Sequence, residues 1–382
     1  MEIQNGYNIT LKIDGKDLFS EYPCEFLNSV IYENIEDLVP TCTIDLGIMG
    51  MALEELPFVD GSKIEIHIQS DGYGVDNTYL FRLYDIEEIN QNGWILSIRL
   101  FCALDFFDGY TQGNTFNTNA TTSEIFKKIA NNYQLENDID PTNDKQLWVA
   151  GENNLYQFMT YMTQYAYIDE KSAMFWCFNG QKKLLFKNII DIFSKEAKDA
   201  FTFIQAAFYD SQEKIYRYVN INANISSGTN NIRNQGYGGN NYYFDLLTYN
   251  IKEANSRFVV AENRMLNISK ELSKGLANTM LPFDVGNFHE KYFNAYKQNK
   301  RTLSTFSTEV TLTTDCLQSF KLAEIVKLIY MDNGDIDLAI KPLSGNYIIA
   351  GINTIISKQA IVANVRLLTQ GLNTKSQTVE TY

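Results

Sequence analysis

Residues 63–104 read KIEIHIQSDGYGVDNTYLFRLYDIEEINQNGWILSIRLFCAL, and this stretch decides the predicted fold. Apolar side chains alternate with polar ones over three runs, residues 63–68, 79–86 and 94–101. Strands with one buried face require this period of two. The polar segment EEINQNG between the last two runs is typical of a hairpin turn. Residues 8–13 and 41–46 alternate in the same way, so the sequence predicts an antiparallel β-barrel over residues 1–110.

The end of the sequence repeats this pattern. FKLAEIVKLIY, GNYIIAGINTII and AIVANVRLLTQGL follow one another within residues 320–372 in the same order. Each copy has a strand that starts near a tyrosine, Tyr79 or Tyr347, and a last strand that carries an arginine, Arg99 or Arg366. Such self-similarity indicates a duplicated unit, although any antiparallel sheet offers partial matches of this kind. A duplication predicts two related β-barrels, the second of which is split by an insertion.

Two helices and a hairpin are predicted between the two copies. Thr121 and Glu124 have the spacing of a capping box, and the residues after them that fall on one helical face are Ile125, Phe126, Ile129 and Tyr133. A second apolar face consists of Leu155, Phe158, Met159, Met162 and Tyr165, preceded by the capping residues Asn153 and Asn154. Residues 173–178 and 183–186 flank Asn179 and Gly180, a pair that favours a type I′ turn. These elements predict a small α+β domain over residues 111–197.

The sequence after residue 200 alternates again and then changes character. Residues 201–208, 215–225 and 304–312 have strand patterns, whereas residues 229–243 are rich in Gly and Asn and predict irregular structure. Residues 258–272 and 287–300 have helical spacing. The first of these could pair with its copy in a neighbouring subunit, but two heptads favour packing on its own domain. We therefore expect the second barrel in residues 198–228 and 304–372, a helical insertion over 229–303 and a flexible tail over 373–382.

Charge and composition exclude several classes of protein. The 382 residues carry a formal net charge of −14, which opposes binding to nucleic-acid phosphates. No apolar run reaches the roughly 20 residues of a membrane span, and the first residues do not form a signal peptide. These features predict no membrane anchor and a reducing, cytosolic site of synthesis. The cysteines are odd in number and widely spaced, which predicts buried thiols rather than disulfides or a zinc site: Cys24, Cys42, Cys102, Cys177 and Cys316.

No motif with catalytic chemistry stands out. His67 belongs to a predicted strand and His289 to the start of a predicted helix, and no Gly-x-Ser-x-Gly elbow is present. The glycines at positions 236, 238 and 239 lack the strand and the Lys-Ser/Thr of a phosphate loop. Acidic groups that could serve a hydrolase or bind calcium are Glu54 with Glu55, Glu87 with Glu88, and Asp332 with Asp335 and Asp337. They are interpreted as solvated turns, so the sequence predicts no enzyme, no catalytic residues, no cofactor and no metal site.

Three stretches resemble a known family. TTSEIFKKIANNYQLEND and NNLYQFMTYMTQYAYIDEKSAMFWCFNGQKKLLFKN are similar to its helix and hairpin module. FHEKYFNAYKQNKRTLSTFSTEVTL resembles the helix that leads into the second barrel, and LSGNYIIAGINTIISKQAIVANVRLL resembles the closing hairpin. The family is the tail hub proteins of contractile phages and related injection machines, which includes late control protein D and the hub half of type VI spike proteins. Since ten residues follow Leu372, we expect no needle after the hub, unlike in those spike proteins, and a piercing tip on a separate chain.

The resemblance implies a fold and a structural role. The implied fold class is β-rich α+β, with two related antiparallel β-barrel, tube-like domains and inserted α+β domains. The implied function is that of a homotrimeric tail or baseplate hub, which adapts a sixfold tail tube to a threefold central spike. Three copies with two barrels each place six similar barrels in one ring, which removes the symmetry mismatch. The implied partners are the tail tube ring, the central spike and baseplate wedge or collar proteins, within a virion tail assembled in the host cytoplasm.

Two alternatives remain open at this point. The tyrosines and the GYGGNN segment are compatible with a β-rich virion protein that binds a receptor or a carbohydrate. An acidic pair could instead serve a hydrolase. For the hub, we expect acidic side chains in the lumen to repel DNA phosphates and to keep a passing genome from sticking.

Overall fold

The computed structural model describes residues 6–49, 58–70, 72, 74–92, 95–106, 117–150, 153–194, 202–204, 215–218, 220–225, 239–245, 249–256, 264–265, 279–281, 291, 295, 299, 306, 308–315, 320–329 and 343–373. No helix in this part of the chain is long and apolar enough to cross a bilayer.

The first part of the chain forms seven strands and a short helix. Apolar and polar residues alternate in most of them, so one face of each strand is buried and the other is more exposed. The helix begins after Asp17, whose carboxylate accepts the backbone N–H groups of Phe19 and Ser20, each at 3.0 Å. The elements are β1 (Asn8–Ile13), β2 (Lys16–Asp17), α1 (Leu18–Glu21), β3 (Cys24–Asn34), β4 (Thr41–Met49), β5 (Lys63–Ser70), β6 (Val75–Asn92) and β7 (Ile95–Leu104).

A compact α+β segment follows, in which the predicted capping box is present and the second helix, predicted only to have an asparagine cap, also has one. Thr121 caps its first helix with Glu124, and Asn154 caps its second helix with Gln157. Each pair satisfies two backbone N–H groups that a helix start otherwise leaves without partners. The elements are β8 (Asn117–Ala120), α2 (Thr122–Asn132), β9 (Asn137–Ile139), β10 (Gln146–Val149), α3 (Leu155–Tyr165), β11 (Met174–Phe178), β12 (Leu184–Asn188) and α4 (Ile189–Ser194).

The hairpin of β11 and β12 is confirmed, but the predicted type I′ turn is wrong. The N–H of Lys182 donates to the carbonyl of Asn179 at 3.0 Å, and Lys182 takes the left-handed conformation with φ 64°. A turn followed by one left-handed residue also connects two strands with the right twist. Gly180 is not among the residues with positive φ. Its role depends instead on a tertiary contact described below.

The rest of the chain completes the β structure. Its described elements are β13 (Thr202–Ile204), β14 (Ile215–Arg217), β15 (Asn220–Ile225), β16 (Gly239–Asp245), β17 (Asn250–Ser256), β18 (Arg264–Met265), β19 (Thr279–Leu281), β20 (Thr308–Thr314), β21 (Ile325–Leu328), β22 (Gly345–Ser357), β23 (Ile361–Thr369) and β24 (Leu372–Asn373). Strands of both copies of the predicted repeat are therefore present.

Two expectations for residues 229–303 are corrected. The sequence predicts irregular structure over residues 229–243, but strand β16 begins at Gly239 and pairs with β17. The aromatic residues that follow Gly239 in β16 favour a strand. The described part of the expected helix over 258–272 is strand β18, which pairs with β24. That pairing also involves Asn373, the first residue of the expected tail; residues 374–382 lie outside the described ones. Ala295 and Asn299 are helical, as expected for residues 287–300.

One sheet of 14 strands joins the two ends of the chain. In the first half, β1 to β7, the strand order is β3, β4, β7, β6, β5, β1. In the second half, which consists of β13 to β15 and β20 to β23, the order is β15, β20, β23, β22, β21, β13. The two orders correspond strand for strand. The last pair differs, because β1 lies antiparallel to β5 whereas β13 lies parallel to β21.

The predicted β-rich α+β class is confirmed. Hydrogen bonds among the described strands of the two halves form this one sheet and close neither half into a separate barrel, while the other described strands form four smaller sheets. The first half is nevertheless strongly curved, since Ile9 on β1, Phe26 on β3 and Ile44 on β4 line one small interior space. The predicted domain boundaries stay a prediction.

Two hydrophobic cores lie on opposite faces of the β11 and β12 hairpin. Phe175, Cys177 and Leu185 belong to the core of the large sheet. Trp176 and Phe186, on the other face, belong to the core of the 117–194 segment with the apolar sides of α2 and α3. Because both faces of the hairpin are buried, this hairpin connects the segment to the large sheet.

Candidate assembly interface

The two halves of the sheet meet where β22 pairs with β3. Their register runs antiparallel from Gly351 opposite Asn34 to Ser357 opposite Asn28. A Cβ at Gly351 would come within 3.3 Å of the Glu33 carbonyl and 3.4 Å of the Arg366 Cβ. A side chain at this position would fit only if these neighbours moved by a few tenths of an ångström. The glycine thus relieves crowding at this end of the junction.

Arg366 on β23 connects charged groups from both halves. Its Nε donates to Glu309 on β20 at 3.0 Å, and its Nη1 donates to Glu36, just after β3, at 2.7 Å. Burial lowers the pKa of Arg366, but the hydrogen bonds and charges of Glu36 and Glu309 outweigh this effect and raise it. The guanidinium therefore stays charged and links β20 and β23 to the first half.

Arg99 occupies the corresponding place in the first half. It lies on β7 directly opposite Asp45 on β4 and donates two hydrogen bonds, at 2.7 and 2.8 Å, to that carboxylate. The hydrogen bond to Asp45 is the main cause that raises the pKa of Arg99. Both arginines of the sequence repeat thus bind an acid on the neighbouring strand. Their partners differ, since Arg99 binds within one half only.

A buried carboxylate fixes the 117–194 segment to the first half. Glu33 on β3 is only 6% exposed and accepts the backbone N–H of Gly180 at 2.5 Å. A Cβ at Gly180 would lie 2.7 Å from the ring of the buried Tyr79 and 3.0 Å from the Glu33 Cδ. Burial raises the pKa of Glu33 to about 7, and the N–H of Gly180 opposes the shift. Sequence reasoning identified Gly180 but attributed it to the turn.

Asn299 attaches the helical residues before β20 to the same segment. Its buried amide nitrogen donates to the carbonyls of Thr163 and Ala166, each at 3.0 Å, and to that of Gln164 at 3.2 Å. Its amide oxygen accepts the N–H of Met174 at 3.2 Å. One side chain thus satisfies the end of α3 and the start of β11. No local signal marks Asn299 in the sequence, because all of its partners lie more than 120 positions away in the chain.

The C-terminal part of β6 is exposed on both faces. Burial alternates up to Leu83, but every residue from Tyr84 to Ile89 is exposed, including Ile86 at 37% and Ile89 at 44%. Neighbouring apolar groups add to this surface, since Ile95 on β7 is 48% exposed. Exposed apolar side chains that lie together mark interaction surfaces more often than isolated ones do.

Among the described residues, the chemical groups singled out in the sequence do not form a catalytic arrangement. His67 on β5 contacts Asp76 on β6 at 2.7 Å on the surface. Cys42, Cys102 and Cys177 are buried thiols, and burial raises the pKa of Cys42 to about 12. Cys24 is partly buried, and burial raises its pKa to about 11. His289 and Cys316 lie outside the described residues.

The predicted acidic groups are dispersed as well. Glu87 and Glu88 lie on the exposed end of β6, whereas Glu54, Glu55 and the three aspartates between 332 and 337 lie outside the described residues. Within the described ranges, no three His, Cys, Asp or Glu side chains come close enough to hold a metal ion. The first half of the GYGGNN segment, residues 236–238, is likewise not described, and carbohydrate binding stays a prediction.

Known proteins match this chain in structure rather than in sequence. No protein-family model matches it, and no curated protein sequence is significantly similar to it. A tail protein from Neisseria meningitidis MC58 matches over 97% of this chain and 98% of its own, with a TM-score of 0.60 and 11% identity. The 43 kDa tail protein of prophage MuSo2 from Shewanella oneidensis matches over 95% and 98%, with a TM-score of 0.58 and 10% identity.

A third match comes from a secretion system. The E. coli c3393 protein, a type VI secretion component described as similar to the T4 tail proteins gp27 and gp5, matches over 94% of this chain and 76% of its own. Its TM-score is 0.50 and its identity 10%. At such low identities the matches show a shared fold, and this fold agrees with the class predicted from the sequence.

Proposed function

We propose that this chain is a structural protein of a phage-type tail or baseplate. In this proposal it forms a homotrimeric hub that adapts the sixfold tail tube to a threefold central spike and lines the DNA channel. Its partners would be the tail tube ring, the spike, and wedge or collar proteins of a contractile injection system. It would act in the virion tail after assembly in the host cytoplasm.

The observation that carries the proposal is the matching strand order of the two halves. Six strands follow one another in the same spatial order in each half, and each half has an arginine on the third of the repeated strands. A subunit with two similar sheets can contribute two of six similar units to a ring while it keeps threefold symmetry. The shared fold of the tail proteins from Neisseria meningitidis and Shewanella oneidensis supports the same role.

The 117–194 segment is the part best suited to an outer collar. It has a core of its own and contacts the large sheet through the β11 and β12 hairpin, and none of its described strands belongs to that sheet. A ring made from the large sheets could therefore close without rearrangement of this segment. The net charge of −14 suits a channel through which DNA passes without binding.

Native mass spectrometry of the purified full-length chain tests the proposal. We expect the mass of three copies. Electron-microscope projections down the symmetry axis should show six similar densities around a central hole of tube-like width. A monomer at tens of micromolar, or a ring whose copies do not number three, would contradict it. A monomer with a sugar or receptor ligand in an aromatic groove would favour the receptor-binding alternative.

A further inference from the structure

Two cysteines face each other across neighbouring strands of the large sheet. Cys42 on β4 lies directly opposite Cys102 on β7, although 60 positions separate them in the chain. Both side chains are buried on the core face of the sheet, and both are free thiols. The contacts of the candidate assembly interface involve neither of them.

The hydrogen bonds of the ladder fix how close the two cysteines are. One residue pair of the same register is Pro40 and Leu104, and the N–H of Leu104 donates to the carbonyl of Pro40 at 3.0 Å. Hydrogen-bonded pairs recur at every second position of an antiparallel ladder, so Cys42 and Cys102 form such a pair too. Their Cα atoms are thus about 5.5 Å apart, within the range of about 4.4–6.8 Å that a disulfide spans.

A serine on the third strand holds one of the two sulfurs. The Sγ of Cys42 lies 3.4 Å from the Oγ of the buried Ser29 on β3. Strands β3 and β7 lie on opposite sides of β4, so this contact turns the sulfur of Cys42 away from Cys102. Rotation about χ1 of Cys42 is therefore needed before the two sulfurs can meet. Ser29 is the positioning residue of this pair.

Burial also slows the chemistry of both thiols. It raises the pKa of Cys42 to about 12 and the pKa of Cys102 well above its usual range. Only the thiolate attacks a disulfide, and burial makes this form rare. The pair therefore reacts slowly while the strands are closed and faster when the sheet opens locally.

We propose that Cys42 and Cys102 are a latent redox pair, which an external small-molecule disulfide converts into a cross-strand disulfide. The Cys42 thiolate attacks one sulfur of the external disulfide and releases its other half as a thiolate. The Cys102 thiolate then attacks the Cys42 sulfur of the mixed disulfide and releases the second thiolate. Each protein thiol loses one proton, and two electrons reduce the external disulfide to two thiols. A reducing cytosol keeps the pair reduced.

The bond would fix the middle of the first half. Strands β4 and β7 are already linked on the other face of the sheet by Asp45 and Arg99. A disulfide on the core face would add a covalent link, so that these strands separate only after reduction. This inference concerns a single copy of the chain and does not depend on the proposed trimer.

Peptide mapping of the full-length chain tests the pairing. After incubation with oxidised glutathione at mildly alkaline pH, blocking of free thiols and trypsin digestion, we expect a linked peptide that contains Cys42 and Cys102. Its mass should be two hydrogens below the sum of the two peptides. The variants Cys42→Ser and Cys102→Ser should each lack it.

Cys24 shows whether the folded register directs the reaction. It lies opposite Ile48 in the folded sheet, far along the ladder from Cys42. In an unfolded chain the Cys24–Cys42 link would be favoured about sixfold over Cys42–Cys102, because it closes a loop of 18 rather than 60 positions. Dominance of the Cys24–Cys42 link, or glutathione adducts without the Cys42–Cys102 peptide, would overturn the proposal.

A serine variant tests the positioning by Ser29. Ser29→Ala should speed the Cys42–Cys102 link by about threefold, because all three staggered χ1 positions of Cys42 become available. Ser97→Ala, on the other face of β7, is the matched control. Alkylation of Cys177, a buried thiol of the same core, reports general opening and should be equal in both variants. Equal linking rates, or faster alkylation of Cys177 in the Ser29 variant, would contradict this role.

Discussion

The carboxylate of Glu33 accepts the backbone N–H of Gly180 at 2.5 Å, across 147 positions of the chain. This contact lies where the hairpin of β11 and β12 meets β3, the strand that also pairs with β22. The attachment of the 117–194 segment and the junction between the two halves thus share one strand. Substitutions around this point are expected to affect both.

The first prediction concerns the effect of pH on stability through Glu33. Its pKa is raised to about 7 in the folded chain, so the folded state holds a proton that the unfolded state releases at lower pH. The stability that Glu33 contributes is complete below about pH 4.5 and is lost as the pH rises to about 7. We expect the free energy of unfolding of Glu33→Gln, relative to wild type, to increase by roughly 3 kcal/mol across this window.

Denaturant titrations of both proteins at several pH values measure this difference. Glutamine keeps the acceptor oxygen for the N–H of Gly180 but cannot ionise, so the comparison isolates the proton. Two curves that stay parallel between pH 4.5 and pH 7 would show that Glu33 ionises normally.

The second prediction concerns the close contact at Gly180. A methyl group there would overlap the ring of Tyr79 at 2.7 Å, so Gly180→Ala should destabilise the chain by about 1–3 kcal/mol. Thermal unfolding measures the loss. Gly72→Ala is the matched control, because a Cβ at Gly72 meets no atom within 4 Å. Equal effects of the two substitutions would mean that the contact with Tyr79 is not tight.

The third prediction concerns the arginine that connects the two halves. Arg366→Met removes hydrogen bonds to Glu36 and Glu309 and should cost about 1–2 kcal/mol. It should also speed hydrogen exchange at the amides where β3 pairs with β22. Arg99→Met removes a pair within the first half and serves as the control. Faster exchange at that junction in the Arg99 variant, or none in the Arg366 variant, would contradict this role.

The fourth prediction concerns Asn299. Asn299→Ala leaves the carbonyls of Thr163 and Ala166 and the N–H of Met174 without this partner, and we expect a loss of about 3 kcal/mol in the free energy of unfolding. Asn131→Ala, at an exposed position of α2, should change stability by less than about 0.5 kcal/mol. Limited proteolysis should cleave the Asn299 variant first near residue 299. Unchanged stability would show that water replaces the amide.

Local patterns in the sequence predicted many of the elements. Thr121 with Glu124 and Asn154 marked the starts of two helices, because a cap satisfies backbone groups only a few positions away. Alternation predicted β1, β4 and β5 for the similar reason that each strand has one buried face. It did not predict β3, where a bulge between Phe26 and Asn28 interrupts the period.

Local patterns in the sequence did not predict the contacts of the candidate assembly interface. Glu33 looks like an ordinary surface acid in the sequence, and its burial depends on a hairpin loop 147 positions later. The sequence likewise identified Arg99 and Arg366 as a repeated feature but not their different partners. Partners of this kind depend on how distant strands align.

By itself, the sequence determined the β-rich class, the repeated strands near both ends and the two capped helices. These features depend on the spacing of apolar and capping residues within one or two helical turns or within a single strand. Only the tertiary structure decided that β3 joins the two halves and that Glu33 is buried. Strand pairing and burial depend on backbone groups and side chains that are far apart in the sequence. Local sequence patterns therefore do not predict them.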